Sequence, residues 1–313
     1  MTQQIQLISD IRNNIRKVIV GKDTAVDLLL ISLICSGHVL IEDIPGVGKT
    51  TLVSALAASL GCSFHRIQFT PDVLPSDITG FNMFNIKTGE KELYPGGVMN
   101  QIVLADEINR ASPKTQSALL EVMQENQVTI DGVTYPSPAP FMVLATQNPI
   151  EMSGTYRLPE AQLDRFLMCV SMGYPSEDEE RAILDNHRRG RVSERLSSVA
   201  SADDVLALQS SLDKIVCSPA VTDYIVQLIK ATRSFDGVRV GASPRGSIAL
   251  MQAAKGCALL CGRDYVLPDD VQSMAHPVLG HRLILRSRNN VDSTPTHGII
   301  HSVLKSVNVP AAK

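Results

Sequence analysis

Five short apolar runs punctuate the first 175 residues: HVLIE (38–42), HRIQF (65–69), IVLAD (102–106), FMVLAT (141–146) and FLMCV (166–170). Several are nearly continuous in Val, Ile, Leu and Phe, the pattern of strands buried on both faces. Helical stretches lie between them. TLVSALAASL follows the first run, and SPKTQSALLEVMQE opens with Ser112 as a cap and Pro113 at the first helical position. This alternation predicts a parallel sheet covered by helices on both sides. Two segments interrupt it. Residues 80–100, GFNMFNIKTGEKELYPGGVMN, are too long and mixed for a simple connection and predict a hairpin turning near Thr88-Gly89. QVTIDGVTY (127–135) carries the strongest hairpin signal in the chain, with alternation around Asp131-Gly132, a pair that suits a type I′ turn.

After Tyr174-Pro175 the pattern changes. SEDEERAIL begins a helix, and HRRGRVSER (187–195) reads as a charged linker. From about residue 203 only helical stretches remain: DDVLALQSSL, VTDYIVQLIKATR, SPRGSIALMQAAKGCALL, PDDVQSMAHPVLGHRLIL and GIIHSVLKSV. The expected organisation is an α/β core over 1–186, a linker over 187–202 and a small all-helical domain over 203–313.

Composition fits two soluble domains. The 313 residues are 44% hydrophobic and 19% charged, enough for a real core. A formal net charge of -3 argues against binding nucleic acid by charge alone. Six cysteines are scattered, mostly in apolar runs. Cys257 and Cys261 could share a helix face, but no Cys or His pair at zinc-like spacing joins them. Buried, reduced thiols are expected. MTQQIQLISDIRNNIRK lacks the apolar region of a signal peptide, and AVDLLLISLIC (25–35) is too short to span a bilayer and carries Asp27. A cytoplasmic protein without a membrane span is expected.

The candidate chemistry centres on EDIPGVGKTT (42–51). Gly48, Lys49 and Thr50 fit the phosphate-loop pattern G-x-x-x-x-G-K-[ST], but Asp43 stands at its opening glycine. The context of strand, loop and helix is right. Backbone N–H groups of Gly46 to Thr50 would cradle phosphates at the positive end of a helix. Lys49 would reach the terminal phosphates and Thr50 would offer its hydroxyl to Mg²⁺. Asp adopts unusual backbone conformations more readily than most residues, and Pro45-Gly46 still supplies a turn. IVLADEINR then sets Asp106 and Glu107 at the C-terminal edge of the sheet, where α/β folds bind ligands. Asp106 suits the magnesium shell, and Glu107 suits the orienting or polarising of a water. Asn148 in LATQNP could bond a γ-phosphate or its water, or simply form a turn before proline. His38, at the head of the first run, reads as structural.

LADEINRASPKTQSALLEVMQE, QVTIDGVTYP, LATQNPIE, GTYRLPEAQLDRFL and GYPSEDEE, with ASPRGSIAL and YVLPDDV further on, resemble the MoxR family of AAA+ ATPases over nearly the whole chain. That family commonly writes its phosphate loop as E-D-x-P-G-x-G-K-T, so Asp43 is in keeping with an active site. The resemblance implies a P-loop NTPase AAA+ core, a five-stranded parallel sheet with helices on both faces, and a helical lid. ATP and Mg²⁺ would lie between core and lid, and subunits would assemble into rings, often hexamers. The two hairpins match inserts typical of this branch, which lie on the ring's exposed face. It implies a Walker A loop of Pro45, Gly46, Val47, Gly48, Lys49, Thr50 and Thr51, and a Walker B pair of Asp106 and Glu107, with Thr50 and Asp106 on the metal. Asn148 matches sensor 1. Arg165 in LDRF resembles an arginine finger donated to a neighbouring subunit, the alternative being an intrachain salt bridge to Asp164 or Glu160. Arg245 in SPRG resembles sensor 2, the alternative being a helix-surface arginine. Val20 and Gly21 would lie against the adenine. An arginine's rigid fork suits phosphate oxygens, and a finger supplies about 10³ to 10⁵ in rate.

By the same resemblance, the expected function is chaperone-like remodelling or maturation of a client protein, with metal insertion as one form of it, together with a von Willebrand factor A domain protein. The chain has no D-x-S-x-S string, so that partner would be a separate polypeptide. Phe81, Met83 and Phe84 could grip a client or merely pack. A nucleotide-gated assembly switch, a chelatase subunit and a nucleic-acid motor share the same ATPase residues. The motor is disfavoured because QVTIDGVTY holds no Lys or Arg. HRRGRVSER and LRSRNN (285–290), with Arg286 and Arg288, read as solvated charge.

Overall fold

A computed structural model of the chain describes residues 2–148, 155–188, 196–286 and 294–310. The core strands are β1 (Val39–Glu42), β2 (Phe64–Gln68), β5 (Ile102–Asp106), β8 (Met142–Gln147) and β9 (Met168–Val170), one for each predicted apolar run. They form a single parallel sheet in the order β2-β5-β8-β1-β9. Alternate side chains serve two cores. Ile102 and Leu104 face one side with Leu52 and Leu56 of α3 (Lys49–Ser59). Val103 and Ala105 face the other with Leu119 and Leu120 of α5 (Pro113–Glu125). Burial on both faces is why β5 and β8 lack the polar alternation of a surface strand, whereas the edge strand β2 keeps it. Ser112 caps α5 by accepting from Thr115 N, with Pro113 at the first position, as the sequence predicts.

Both hairpins are present. β3 (Gly80–Asn85) pairs with β4 (Glu90–Pro95), and β6 (Gln127–Ile130) with β7 (Val133–Pro136). Asp131 at φ 48° and Gly132 at φ 82° give the second the two left-handed residues of a type I′ turn. Phe81 stacks on Tyr94 across the first hairpin at 5.5 Å between centroids. Phe81, Met83 and Phe84 nevertheless remain exposed.

AVDLLLISLIC, read only as too short for a membrane span, belongs to α2 (Asp23–Ile34), which is buried along most of its length. It packs against α10 (Pro244–Leu260) of the C-terminal region, while α1 (Thr2–Arg16) packs on α3. The approach of α2 to α10 depends on Gly256: a Cβ there would lie 2.8 Å from Cys35 Sγ and 2.9 Å from Ile31 Cγ2. Among the described residues no helix is long and apolar enough to cross a membrane.

The C-terminal helices are α8 (Ala202–Ser211), α9 (Pro219–Ser234), α10, α11 (Pro268–Leu279) and α12 (Thr294–Ser306). The stretch read as one helix from Pro268 to Leu285 ends at Leu279. Ile284 and Leu285 instead form β11, antiparallel to β10 (Val238–Val240), a short ribbon among the helices. A helix α7 (Glu177–Arg188) takes in the start of the predicted charged linker; residues 189–195 and Arg288 lie outside the described residues. The part from 196 onward is docked, not loose. Ser59 O accepts from Val199 N at 2.9 Å, and Asn14 Nδ2 donates to Ser197 O at 3.0 Å. The cysteines are free but less buried than expected, with five half-buried and Cys261 exposed.

His38 is structural, and its geometry fixes its protonation state. Nδ1 accepts from Val143 N at 3.0 Å, so Nε2 carries the proton that faces Met123 O at 2.9 Å. A second proton would set a donor against the Val143 N–H. Burial lowers the His38 pKa to about 4. The unfolded chain therefore binds a proton near pH 6.5 that the folded chain refuses until about pH 4. Stability is accordingly full above pH 6.5 and falls as the pH drops through that window, by about 3 kcal/mol in the limit. Urea denaturation at pH 7.5 and 5 measures this. The pH-dependent loss should shrink in His38→Phe, and an unchanged loss in that variant would remove His38 as its source.

Candidate functional site

The loop between β1 and α3 opens a cradle at the helix start. Gly46 at φ +86° and Gly48 at φ +91° are left-handed, where a side chain would be strained, and a Cβ on either would meet nothing within 4 Å. No side chain caps α3, so its first N–H groups face the cradle. Lys49 Nζ lies over the loop and donates to Asp43 O at 2.9 Å. Burial lowers its pKa, while Asp43, Asp106 and Glu107 act in the opposite direction.

Asp43 is not where it is for backbone freedom. It is absent from the four non-glycine residues of positive φ among the described residues, which are Ser36, Glu107, Asn126 and Asp131. Its carboxylate is the reason. Asp43 is 6% exposed, and Oδ2 accepts from Gly173 N at 3.2 Å and from Met172 N. The loop is thereby tied to the chain leaving β9, on the way to α7. A glycine could not make this tie.

Asp106 and Glu107 face the cradle from the end of β5. Thr146 Oγ1, on β8, donates to Asp106 Oδ1 at 2.6 Å and accepts from Glu107 N at 2.8 Å. Glu107 sits at φ 58° and ψ 48°. A left-handed glutamate costs about 1–3 kcal/mol, and such strain clusters at functional sites. Its Oε2 accepts from Gln68 Nε2 at 3.0 Å and pairs with Arg110 Nε at 3.2 Å. Asp106 Oδ2 accepts from Arg66 Nε at 3.1 Å and Nη2 at 2.6 Å.

A cleft of about 380 Å³ joins these walls. Pro45, Gly46, Gly48, Lys49, Thr50 and Thr51 line one side, and Asp106, Glu107 and Asn148 the other. Three further lining residues, Arg66, Gln68 and Thr146, were not foreseen. Their signal is present in HRIQF, where Arg66 and Gln68 stand at alternate positions, and in FMVLAT, where Thr146 is the one polar residue at the end of an apolar run. The direction those residues point depends on strand register, which sets Gln68 beside Asp106.

Other predicted residues stand outside the cleft. Val47 packs half-buried on the hydrophobic core. Gly21, with Val20 beside it, is left-handed and faces Glu179 of α7, whose Oε1 would lie 1.8 Å from an added Cβ. Arg165 Nη1 donates to Leu120 O at 2.7 Å on the α5 side. The alternative ion pair with Asp164 is not formed, because Asp164 is held by Arg282 Nε at 2.8 Å and Ser243 Oγ at 3.0 Å. Glu160 pairs with Arg239 at 3.7 Å. Arg245 is exposed in the first turn of α10 and does not reach into the cleft.

The residues present fit a nucleotide and its metal. The glycine cradle and Lys49 suit phosphates, and the Thr50 hydroxyl with the Asp106 carboxylate supplies the hard oxygen donors Mg²⁺ prefers. The ATPase family associated with various cellular activities (AAA) matches residues 38–168, and an AAA lid domain matches residues 230–300. The chain is 44% identical to Chaperone MoxR1 of Mycobacterium tuberculosis, over 95% of its own length and 80% of that protein. This places it. The chain belongs to the MoxR family of AAA+ ATPases. It is also 49% identical to the uncharacterized protein YeaC of Bacillus subtilis, over 96% of this chain and 94% of that one. A solved Cytophaga hutchinsonii protein, described as a candidate ATPase, superposes with a TM-score of 0.90 at 39% identity, covering 99% and 97% of the two chains.

For this MoxR-family protein, Asp43→Gly restores the general loop consensus but removes the acceptor for two N–H groups. The expected cost is about 1–3 kcal/mol, read as a lower urea midpoint. A variant as stable as the parent would mean that the tie contributes nothing.

Proposed function

We propose that the cleft binds ATP with Mg²⁺ and hydrolyses it, driving a chaperone-like ring. The observation that carries this is the phosphate cradle facing Asp106 and a left-handed Glu107 across one cleft. In this reading Lys49 neutralises terminal phosphate charge, and Thr50 and Asp106 hold the metal, which supplies further charge neutralisation when bound. Glu107 accepts a proton from the attacking water, and Asn148 orients that water or the γ-phosphate. Arg165, outside its own cleft, serves the cleft of the next subunit in a ring, taken as a hexamer. Arg245 reaches the nucleotide once the lid closes, and Val20 and Gly21 contact the adenine. The core spans 1–186 and the lid 203–313. The work is remodelling or maturation of a client protein in the cytoplasm, with a separate von Willebrand factor A domain partner and metal insertion as one form of it. The name of Chaperone MoxR1 supports the chaperone part.

A switch with incidental turnover is the second reading. It is favoured by Glu107 Oε2 being engaged by both Gln68 and Arg110. Glu107→Gln separates the two. It should keep ATP binding and lose hydrolysis by about 10²–10⁴. A motor then stops, whereas a switch still works in its ATP-locked form.

Hydrolysis per chain, measured with Mg²⁺ across a wide range of protein concentration, should rise and then saturate as subunits complete each other's sites. Arg165→Ala should flatten that curve by about 10³ or more while ATP affinity holds. Loss of ATP binding in Arg165→Ala would make its role structural. Lys49→Ala, by contrast, should weaken binding itself, and unchanged affinity there would put the nucleotide elsewhere.

A further inference from the structure

The geometry points to Arg66 as a resident cation on Asp106, a placeholder that yields Oδ2 of that carboxylate to the metal. This rests on the reading of the cleft as an Mg²⁺–ATP site and adds a residue to it. Asp106 is only 12% exposed in its side chain, and Thr146 already engages Oδ1. A carboxylate oxygen accepts two bonds, and both on Oδ2 come from one guanidinium, through Arg66 Nε and Nη2. The carboxylate that suits the metal is therefore paired with a cation of the chain's own. Leaving it bare would cost the energy of an unpaired, largely buried charge.

Arg66 is also placed to leave. β2 is an edge strand of the sheet, and the Arg66 side chain is 46% exposed. Its other bond, from Nη2 to Gln68 Oε1 at 2.6 Å, is to an exposed neighbour two residues on. An ion pair with one partner this exposed is screened and weak, which suits a contact that must be given up. Asp106 thus exchanges one cation for another, and its charge stays covered in both states.

Two opposite effects follow from removing the guanidinium. Metal binding becomes easier, because Oδ2 is open to it and no like charge stands beside the carboxylate. Nucleotide binding without metal becomes harder, because Asp106 then repels the phosphates uncovered. General damage to the cleft would weaken both.

The test uses the full chain, its Arg66→Gln and Arg66→Lys variants, and a fluorescent non-hydrolysable ATP analogue, titrated in EDTA and then against Mg²⁺. In Arg66→Gln the half-saturating Mg²⁺ should fall roughly two- to fivefold, and EDTA affinity should fall by a similar factor. Arg66→Lys, which keeps the charge but not the fork, should lie between. Unchanged values, or both bindings weakened together, would overturn the placeholder role. If the parent protein itself fails to bind the analogue with or without Mg²⁺, the nucleotide reading falls and the placeholder with it. A parent that binds normally beside variants that match it removes Arg66 alone.

Discussion

A strand covered on both faces can show charge only at its ends. All five residues of β5 are buried, Asp106 included, and the strand is flanked by β2 and β8. Ionisable groups along its length would have no water and no partner, so they gather at the C-terminal edge. The site follows from that constraint. The edges of β1, β5 and β8 deliver the cradle, the two acids, and Thr146 with Asn148 to one cleft.

At that edge each polar group has its own means of support. Asp43 is satisfied by backbone N–H groups of Met172 and Gly173 and fixes the loop to the exit of β9. Asp106 is satisfied by side chains from both neighbouring strands. Thr146 does double duty: its hydroxyl serves Asp106 and receives the N–H of Glu107, supporting the left-handed turn that aims Glu107 differently from Asp106. Two adjacent carboxylates thereby acquire different surroundings, the condition for different chemical roles.

The joint between core and C-terminal helices is built on the same principle. Arg282, 3% exposed in its side chain, donates to Asp164 Oδ1 and to the carbonyls of Asp164, Phe166, Leu167 and Val278. Burial pulls the Arg282 pKa down and the Asp164 carboxylate opposes it, so the pair is held by geometry as well as by charge. Ser243, the cap of α10, reaches the same Asp164. The residues on both sides of Arg165 are therefore clamped by the region that carries Arg245.

The sequence alone determined whatever depends on neighbours a few residues apart. Apolar runs located all five core strands, Asp131-Gly132 set its turn, Ser112-Pro113 started its helix, and the glycines of the phosphate loop announced their cradle. Each is a preference of the local chain for certain dihedral angles or a certain period of burial. The tertiary structure decided the rest. Asp43 meets its partners about 130 residues on, Arg66 and Gln68 reach Asp106 and Glu107 only through strand register, and α2 is buried because Gly256 lets α10 approach. It also ended α11 early to pair Ile284 and Leu285 with β10. Such contacts join residues far apart in the chain, and a local pattern of polarity shows that a side chain wants a partner without showing where that partner stands.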